Sequence, residues 1–319
     1  MIYYYNYART ALKIGLIYLN IKPNDTILIP EYICEAFIQP INDLGIKIKY
    51  FQLDNELNPI WKNIIDLTDS NVKCIVMLNY FGIKQNSFDF KKYCKSYNIY
   101  LIEDNAHTYF CNTLNGDIGN IGDISIFSPR KLLGLKYGGV LKINNKNKSK
   151  LEILDVSNSN VKRKNLLIQS LKEKVKFFIK RRPKYENPNE FEEDYIKHLK
   201  LNQSGIKLIN QVDWTTFKDS RINKYNLWSD FVSKNNLIPF FKDYSLDTIP
   251  LFFVARCKDE NELIRWLKWG WKNEIKLTTW PTLPSDLRNN KRIISLWNTL
   301  ICFPLDISKR KIKKLKFTF

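Results

Sequence analysis

Residues 99–110 read IYLIEDNAHTYF and residues 122–143 read GDISIFSPRKLLGLKYGGVLKI. The apolar runs Tyr100–Ile102, Ile124–Phe127 and Val140–Ile143 have the length and continuity of buried strands in a parallel sheet. Asp104 and His107 follow the first run, Ser128 and Lys131 the second, and the pair Gly138-Gly139 opens the third. In a parallel sheet such residues gather at the carboxyl ends of the strands, where ligands bind. A carboxylate, an imidazole, a hydroxyl and an amine converging there suggest a site for one small charged molecule.

Strand-like and helix-like segments alternate outward from this stretch. Ala8–Leu19, Glu31–Leu44, Asn63–Leu67 and Phe88–Tyr97 have helical spacing. Thr26–Ile29, Ile46–Phe51 and Val72–Leu78 read as strands. This alternation predicts βαβ units with right-handed crossovers. The expected fold is a three-layer α/β sandwich over residues 1–150, built on a mostly parallel sheet. Residues 151–236 read as a helical connecting region, with one long helix over 205–236. Residues 237–319 read as a smaller α+β unit, with strands at Pro250–Ala255 and Leu300–Phe303 around a helix at Glu260–Trp269.

Composition narrows the function classes. With 319 residues, 44% of them hydrophobic, the chain can bury a sizeable core. No apolar run approaches the ~20 residues of a membrane helix, and MIYYYNYARTAL lacks the pattern of a signal peptide. A cytoplasmic location is the expectation. Six scattered cysteines contain no Cys-x-x-Cys pair, which argues against a zinc site or a secreted disulfide framework. The net charge is +19, and residues 161–184 hold ten Lys or Arg against one Glu. The first reading of that segment is a solvated basic face, and the second is contact with an anionic partner. No zinc finger, RNP-like aromatic motif or glycine-rich phosphate loop points to nucleic acid.

One cofactor needs the residue types of the central stretch. Pyridoxal 5'-phosphate requires a lysine for its aldehyde, an acid at its ring nitrogen and donors for its phosphate, often at a helix N-terminus. Lys131, Asp104 and Ala8-Arg9-Thr10 at the start of the first helix supply them. Ser128 adds a phosphate donor, and His107 lies three residues beyond Asp104, where it can reach the ring. Lys136, just before the glycine pair, is the rival amine. Singly, each residue also has a plain reading: a turn or cap for Asp104 and Ser128, a surface charge for either lysine, a satisfied core imidazole for His107.

With these segments in view, the sequence resembles the DegT/DnrJ/EryC1/StrS family of sugar aminotransferases, which are fold-type-I pyridoxal-phosphate enzymes. LIEDNAHTYF is similar to the family's strand-Glu-Asp-x-Ala-(Gln/His) segment, and GDISIFSPRKLLGLKYGGVL to its Gly-Asp-x-x-x-Phe-Ser…Lys…Gly-Gly segment. ARTALKIGL resembles its phosphate-binding helix start, with Ala8 in place of Gly. More weakly, RINKYNLW at Arg221–Trp228 and two C-terminal segments resemble family endings. The resemblance implies Asp104 at the pyridine nitrogen, His107 beside the ring, Ser128 on the phosphate and Lys131 in the Schiff base. It places the ring-stacking aromatic at Cys34, so that Tyr32 or another ring must take that part. It further implies a nucleotide-linked keto sugar as substrate, an amino donor such as glutamate, and a homodimer. Two alternatives stay open: a protein of this fold that binds without transaminating, and a basic nucleic-acid binder.

Overall fold

In a computed structural model of the chain, residues 1–110, 118–144, 158–159, 200–241 and 248–316 are described. The basic segment 161–184 and the loop-like residues 183–194 lie outside them. The chain begins with β1 (Ile2–Tyr5), α1 (Ala8–Tyr18), β2 (Thr26–Pro30), α2 (Glu35–Asp43) and β3 (Lys47–Phe51). It continues with α3 (Trp61–Leu67), β4 (Val72–Leu78), α4 (Ser87–Tyr97), β5 (Tyr100–Asn105), β6 (Ile124–Phe127), α5 (Pro129–Leu133) and β7 (Gly139–Ile143). Together with β8 (Asn158–Ser159) and β9 (Lys200–Leu201), the strands form one nine-stranded sheet in the order β3-β2-β4-β5-β6-β7-β1-β9-β8. From β3 to β6 every neighbouring pair is parallel. Every residue of β2 and β6 is buried, as expected where apolar strands are covered on both faces.

The third strand of the central stretch departs from the expected parallel order. β7 runs antiparallel to both β6 and β1. Its connection explains this: eleven residues separate Phe127 from Gly139, and five of them form α5. A parallel return needs a crossover of about a dozen residues or more, whereas an antiparallel return can be short. The reversal brings the start of β7 to the edge where β5 and β6 end. β1 pairs with β7 in the register Tyr5↔Gly139, so α1 also starts at that edge.

The glycine pair makes this convergence possible. A Cβ on Gly139 would lie 2.1 Å from the carbonyl carbon of Tyr7 and 2.4 Å from the Ala8 nitrogen. Gly138 donates its N–H to the Asn6 carbonyl at 2.8 Å. Gly139→Ala is therefore expected to lower the unfolding free energy by about 3 kcal/mol, because backbone rather than a flexible side chain must give way. Denaturant unfolding checks it; a change under ~0.5 kcal/mol would mean that the Tyr7–Ala8 backbone has room to move.

Two further expectations are corrected. The helix expected from Glu31 starts at Glu35. Residues 31–34 are committed elsewhere, with the Glu31 N–H on the Phe51 carbonyl and its carboxylate accepting from Leu53 N–H at 2.7 Å and pairing with Arg292. The single helix expected over 205–236 is two, α6 (Gln203–Asn210) and α7 (Trp214–Ser233). Asp213 breaks it by capping α7, its Oδ1 accepting from the N–H groups of Thr215 and Thr216 at 3.1 Å each.

The C-terminal part contains β10 (Ile238–Pro239), β11 (Phe252–Arg256), α8 (Glu260–Lys272), α9 (Lys291–Trp297), β12 (Leu300–Pro304) and α10 (Lys309–Lys314). Its antiparallel sheet runs β10-β11-β12. Tyr225, Trp228 and Val232 of α7 share a core with Phe253, Phe303, Trp266 and Trp269. Val254, Trp297 and Cys302 instead join the core of the large sheet. Buried Arg221 fastens α7 to the chain entering β11, donating from Nε to the Pro250 carbonyl at 2.8 Å and from Nη2 to the Leu251 carbonyl at 2.9 Å. Burial lowers its pKa to about 10. Arg221→Ala leaves both carbonyls without these donors, and a loss of about 3 kcal/mol is expected. Urea titration checks this; full stability in the variant would mean that other donors replace the guanidinium.

Candidate functional site

The carboxyl ends of β5 and β6, the starts of α1 and α2, and α5 enclose one cleft. Asp104, Ser128, Lys131, Ala8 and Arg9 all line it. Asp104 is the penultimate residue of β5, in register with Leu78 on one side and Ile126 on the other. It is buried, and its Oδ1 accepts from Ala106 N–H at 2.8 Å. Burial raises its pKa to about 6; the Ala106 hydrogen bond and the charge of Lys131 act in the opposite direction.

Lys131 sits on α5, whose first residue is Pro129, a ring that presets helical φ. Gly134, at φ +63°, ends the helix. The Lys131 charge lowers the pKa of Asp104, of the Cys34 thiol and of His107. For the last two, burial is the larger influence: it raises the Cys34 thiol and carries His107 well below the usual imidazole range. Lys136 is exposed and rests its Nζ 5.1 Å from the Tyr137 ring centroid; it is not among the cleft residues.

Three of the residues singled out from the sequence stand behind the cleft wall. His107 is buried, and its Nδ1 accepts the Phe81 N–H at 3.1 Å. That bond leaves Nε2 as the protonated nitrogen of a neutral ring. The ring stacks on Phe81 and meets the edge of Trp280 at 4.6 Å between centroids. Thr10 donates its hydroxyl to Asn6 Oδ1 at 3.0 Å. Tyr32 is buried, gives its hydroxyl to the Trp280 carbonyl, and packs against Tyr80 and Trp280. Tyr32 therefore stiffens the wall and does not line the cleft.

Of the other lining residues, Ile126, Phe37 and Tyr7 were not singled out from the sequence, whereas Cys34 was, as the position of the stacking ring. Ile126 precedes Ser128 by two residues, the period that puts side chains on one face of a strand. Cys34 and Phe37, one turn apart at the start of α2, form the opposite wall. Tyr7 and Arg130 complete the lining near α1. Outside the cleft, Glu103 organises the approach to β6. It accepts from the N–H groups of Gly119, Ile121 and Gly122, from the Ser125 hydroxyl and from Asn105 Nδ2, at 2.6–3.3 Å. A glutamate inside an apolar strand was the available signal, because a buried carboxylate needs several donors.

With this geometry in hand, the chain can be set beside known proteins. The profile of the DegT/DnrJ/EryC1/StrS aminotransferase family matches residues 5–172. The uncharacterized protein MJ1066 of Methanocaldococcus jannaschii is 28% identical over 143 residues, which is 44% of this chain and 37% of that protein. GDP-perosamine synthase of Escherichia coli O157:H7 is 27% identical over 139 residues, 43% of this chain and 38% of that enzyme. These alignments thus span less than two fifths of the curated relatives' length. The putative sugar aminotransferase Spr1654 of Streptococcus pneumoniae, solved in its PMP form, superimposes with a TM-score of 0.68 at 14% identity, over 98% of this chain and 85% of that one. The fold is that of the fold-type-I pyridoxal-phosphate transferases. By a profile match covering more than half of its length, the chain belongs to the DegT/DnrJ/EryC1/StrS aminotransferase family.

Proposed function

We propose that this protein is a pyridoxal-phosphate-dependent aminotransferase that acts on a nucleotide-linked keto sugar in glycan biosynthesis. The observation that carries the reading is the shared cleft of Asp104 and Lys131. The donor set fits the cofactor: one amine, one buried carboxyl in need of a cation, the Ser128 hydroxyl at the end of β6 and the Arg9 guanidinium at the start of α1. When bound, the cofactor supplies an electron sink for the carbon that exchanges its amino group. Asp104 holds the proton on the pyridine nitrogen through charge pairing. Lys131 would hold the cofactor through its aldehyde, and with an amino donor such as glutamate in place its Nζ would carry a proton to and from the substrate carbon. Ser128, Arg9 and the N–H groups opening α1 hold the phosphate. His107, neutral and locked by Phe81, shapes the wall near the ring without adding charge.

Work in a homodimer and a cytoplasmic location accompany this reading as family expectations. Among the described residues no helix is long and apolar enough to cross a membrane. Cys34, standing where the family places a stacking ring, favours a second reading: a member of this fold that binds without transaminating. The test is to add pyridoxal phosphate, reduce with borohydride and map the modified peptide, then assay amino transfer from glutamate to a keto-sugar nucleotide. The first reading expects label on Lys131 and turnover. Label without turnover across acceptors selects the second, and absence of label rejects both.

A further inference from the structure

We propose that Glu35 is a positioning residue: it fastens the start of α2 to a strap from the C-terminal unit and so sets where Cys34 and Phe37 stand in the cleft. What the cleft grips rests on the cofactor reading, whereas the tie itself does not.

The strap runs from Trp280 to Arg288. It is fixed in its own unit, with Trp297 of α9 donating Nε1 to the Pro281 carbonyl at 2.6 Å and Arg288 donating Nε to the Leu283 carbonyl at 3.1 Å. From there it meets the chain entering α2 at successive points. The Trp280 carbonyl accepts the Tyr32 hydroxyl. The Thr282 carbonyl accepts the Glu35 N–H at 2.8 Å. Ser285 donates its N–H to Glu35 Oε2 at 3.1 Å, and Arg288 Nη2 stands 3.7 Å from the same oxygen. Glu35 thus meets the strap with its backbone and with its side chain.

The sequence explains why α2 needs this support. Cys34 occupies the position before the helix, and its side chain makes no capping hydrogen bond. The first N–H groups of a helix have no intrahelical partner, and the hydroxyl, carboxylate or amide oxygen that usually serves is missing. The Glu35 N–H goes to the strap instead. The Glu35 carboxylate also complements the positive end of the helix, which is its plain structural part. Its second part comes from its neighbours. Cys34, Ala36 and Phe37 all line the cleft, whereas Glu35 is not among the lining residues. The strap therefore holds the wall from behind.

Magnitudes separate the two parts. A gap of about 0.5–1 Å forfeits a quarter to a half of a van der Waals contact, and a misplacement of about 1 Å can cost ~10²-fold in rate. The fold tolerates such a shift, because other ties remain nearby: Glu31 keeps Arg292 and the Leu53 N–H, and the Tyr32 carbonyl keeps the Tyr80 hydroxyl at 2.7 Å.

The experiment alkylates the cofactor-free protein with neutral iodoacetamide and follows Cys34 by peptide mapping. Glu35→Ala removes the hydrogen bond and the ion pair, and should raise the Cys34 rate about tenfold. Glu35→Gln and Arg288→Ala each break only the ion pair, and should raise it about threefold. These two remove opposite charges, so a shared direction reports a moved wall and not an altered field. Arg221→Ala loosens the fold elsewhere and should stay within about twofold of the parent. In the same series, Glu35→Ala should weaken pyridoxal phosphate about tenfold while the borohydride label stays on Lys131. An unchanged Cys34 rate in Glu35→Ala, opposite shifts in Glu35→Gln and Arg288→Ala, or an equal rise in Arg221→Ala would overturn the proposal. So would faster alkylation with undiminished affinity for pyridoxal phosphate. Should the parent take no pyridoxal phosphate, the functional reading fails and the alkylation rates alone decide the tie.

Discussion

Lys131→Ala should abolish both the borohydride-trapped label and amino transfer, with turnover falling by at least about 10³-fold. The size follows from two jobs on one nitrogen. General acid–base catalysis by a placed side chain contributes ~10²–10⁴-fold, and loss of a covalent anchor adds to that. Lys131→Arg should fail as well, since a guanidinium stays protonated at working pH and cannot serve as the nucleophile. Lys136→Ala is the control. Its amine lies exposed over the Tyr137 ring, so label and turnover should stay within about twofold of the parent. If label persists in Lys131→Ala and disappears in Lys136→Ala, the amine has been misassigned and α5 must turn on binding.

Why the rival lysines could be ranked but not separated by sequence is a matter of what an apolar run encodes. Ile124–Phe127 was legible as a strand because four buried residues in a row carry a local signal. The direction of Val140–Ile143 was not, because hydrophobicity has no polarity along the chain. Only the eleven-residue connection carried that information, and it decides where the glycine pair and Lys136 fall. Asp213 was hidden differently: at helical spacing a capping aspartate looks like any solvated polar position, and the Thr-Thr pair after it was the weak clue. Asp104 and Lys131 stood out in the sequence because they follow two apolar runs of one continuous stretch; Asp104 ends up near the end of β5 and Lys131 on α5, just past β6. The contact of the Arg130 guanidinium with the Tyr7 ring did not stand out, because it joins residues far apart in sequence through the β1–β7 register. Tyr32 shows the converse situation. A ring beside the expected stacking position is attractive in sequence, but its hydroxyl is held by the Trp280 carbonyl and its face by other rings.

Asp104→Asn is expected to move stability and activity in opposite directions. The folded-state pKa of Asp104 is about 6, whereas an unfolded aspartate titrates near ~3.9. A raised pKa means that the folded state binds the proton more tightly. The resulting stability is fully present below pH ~4 and is lost as pH rises through 6. Above that, the buried carboxylate costs the cofactor-free protein about 3 kcal/mol, at ~1.36 kcal/mol per pKa unit. Asparagine keeps an oxygen for the Ala106 N–H that Asp104 Oδ1 now accepts and removes the charge. Without cofactor, the variant should therefore be more stable than the parent at pH 8 by up to about 3 kcal/mol, with the difference closing toward pH 4. With cofactor the order should invert. The parent carboxylate gains a protonated ring nitrogen as its partner, and a ligand that binds only the folded state stabilises it by mass action. Asparagine cannot hold that proton by charge, so turnover should fall by roughly 10²–10³-fold, the scale seen when one aimed electrostatic contact is removed. Denaturant unfolding from pH 4 to 8, with and without pyridoxal phosphate, measures both halves. A variant less stable than the parent at pH 8, or one with undiminished turnover, would show that the Asp104 carboxylate is not kept for a cation in this cleft.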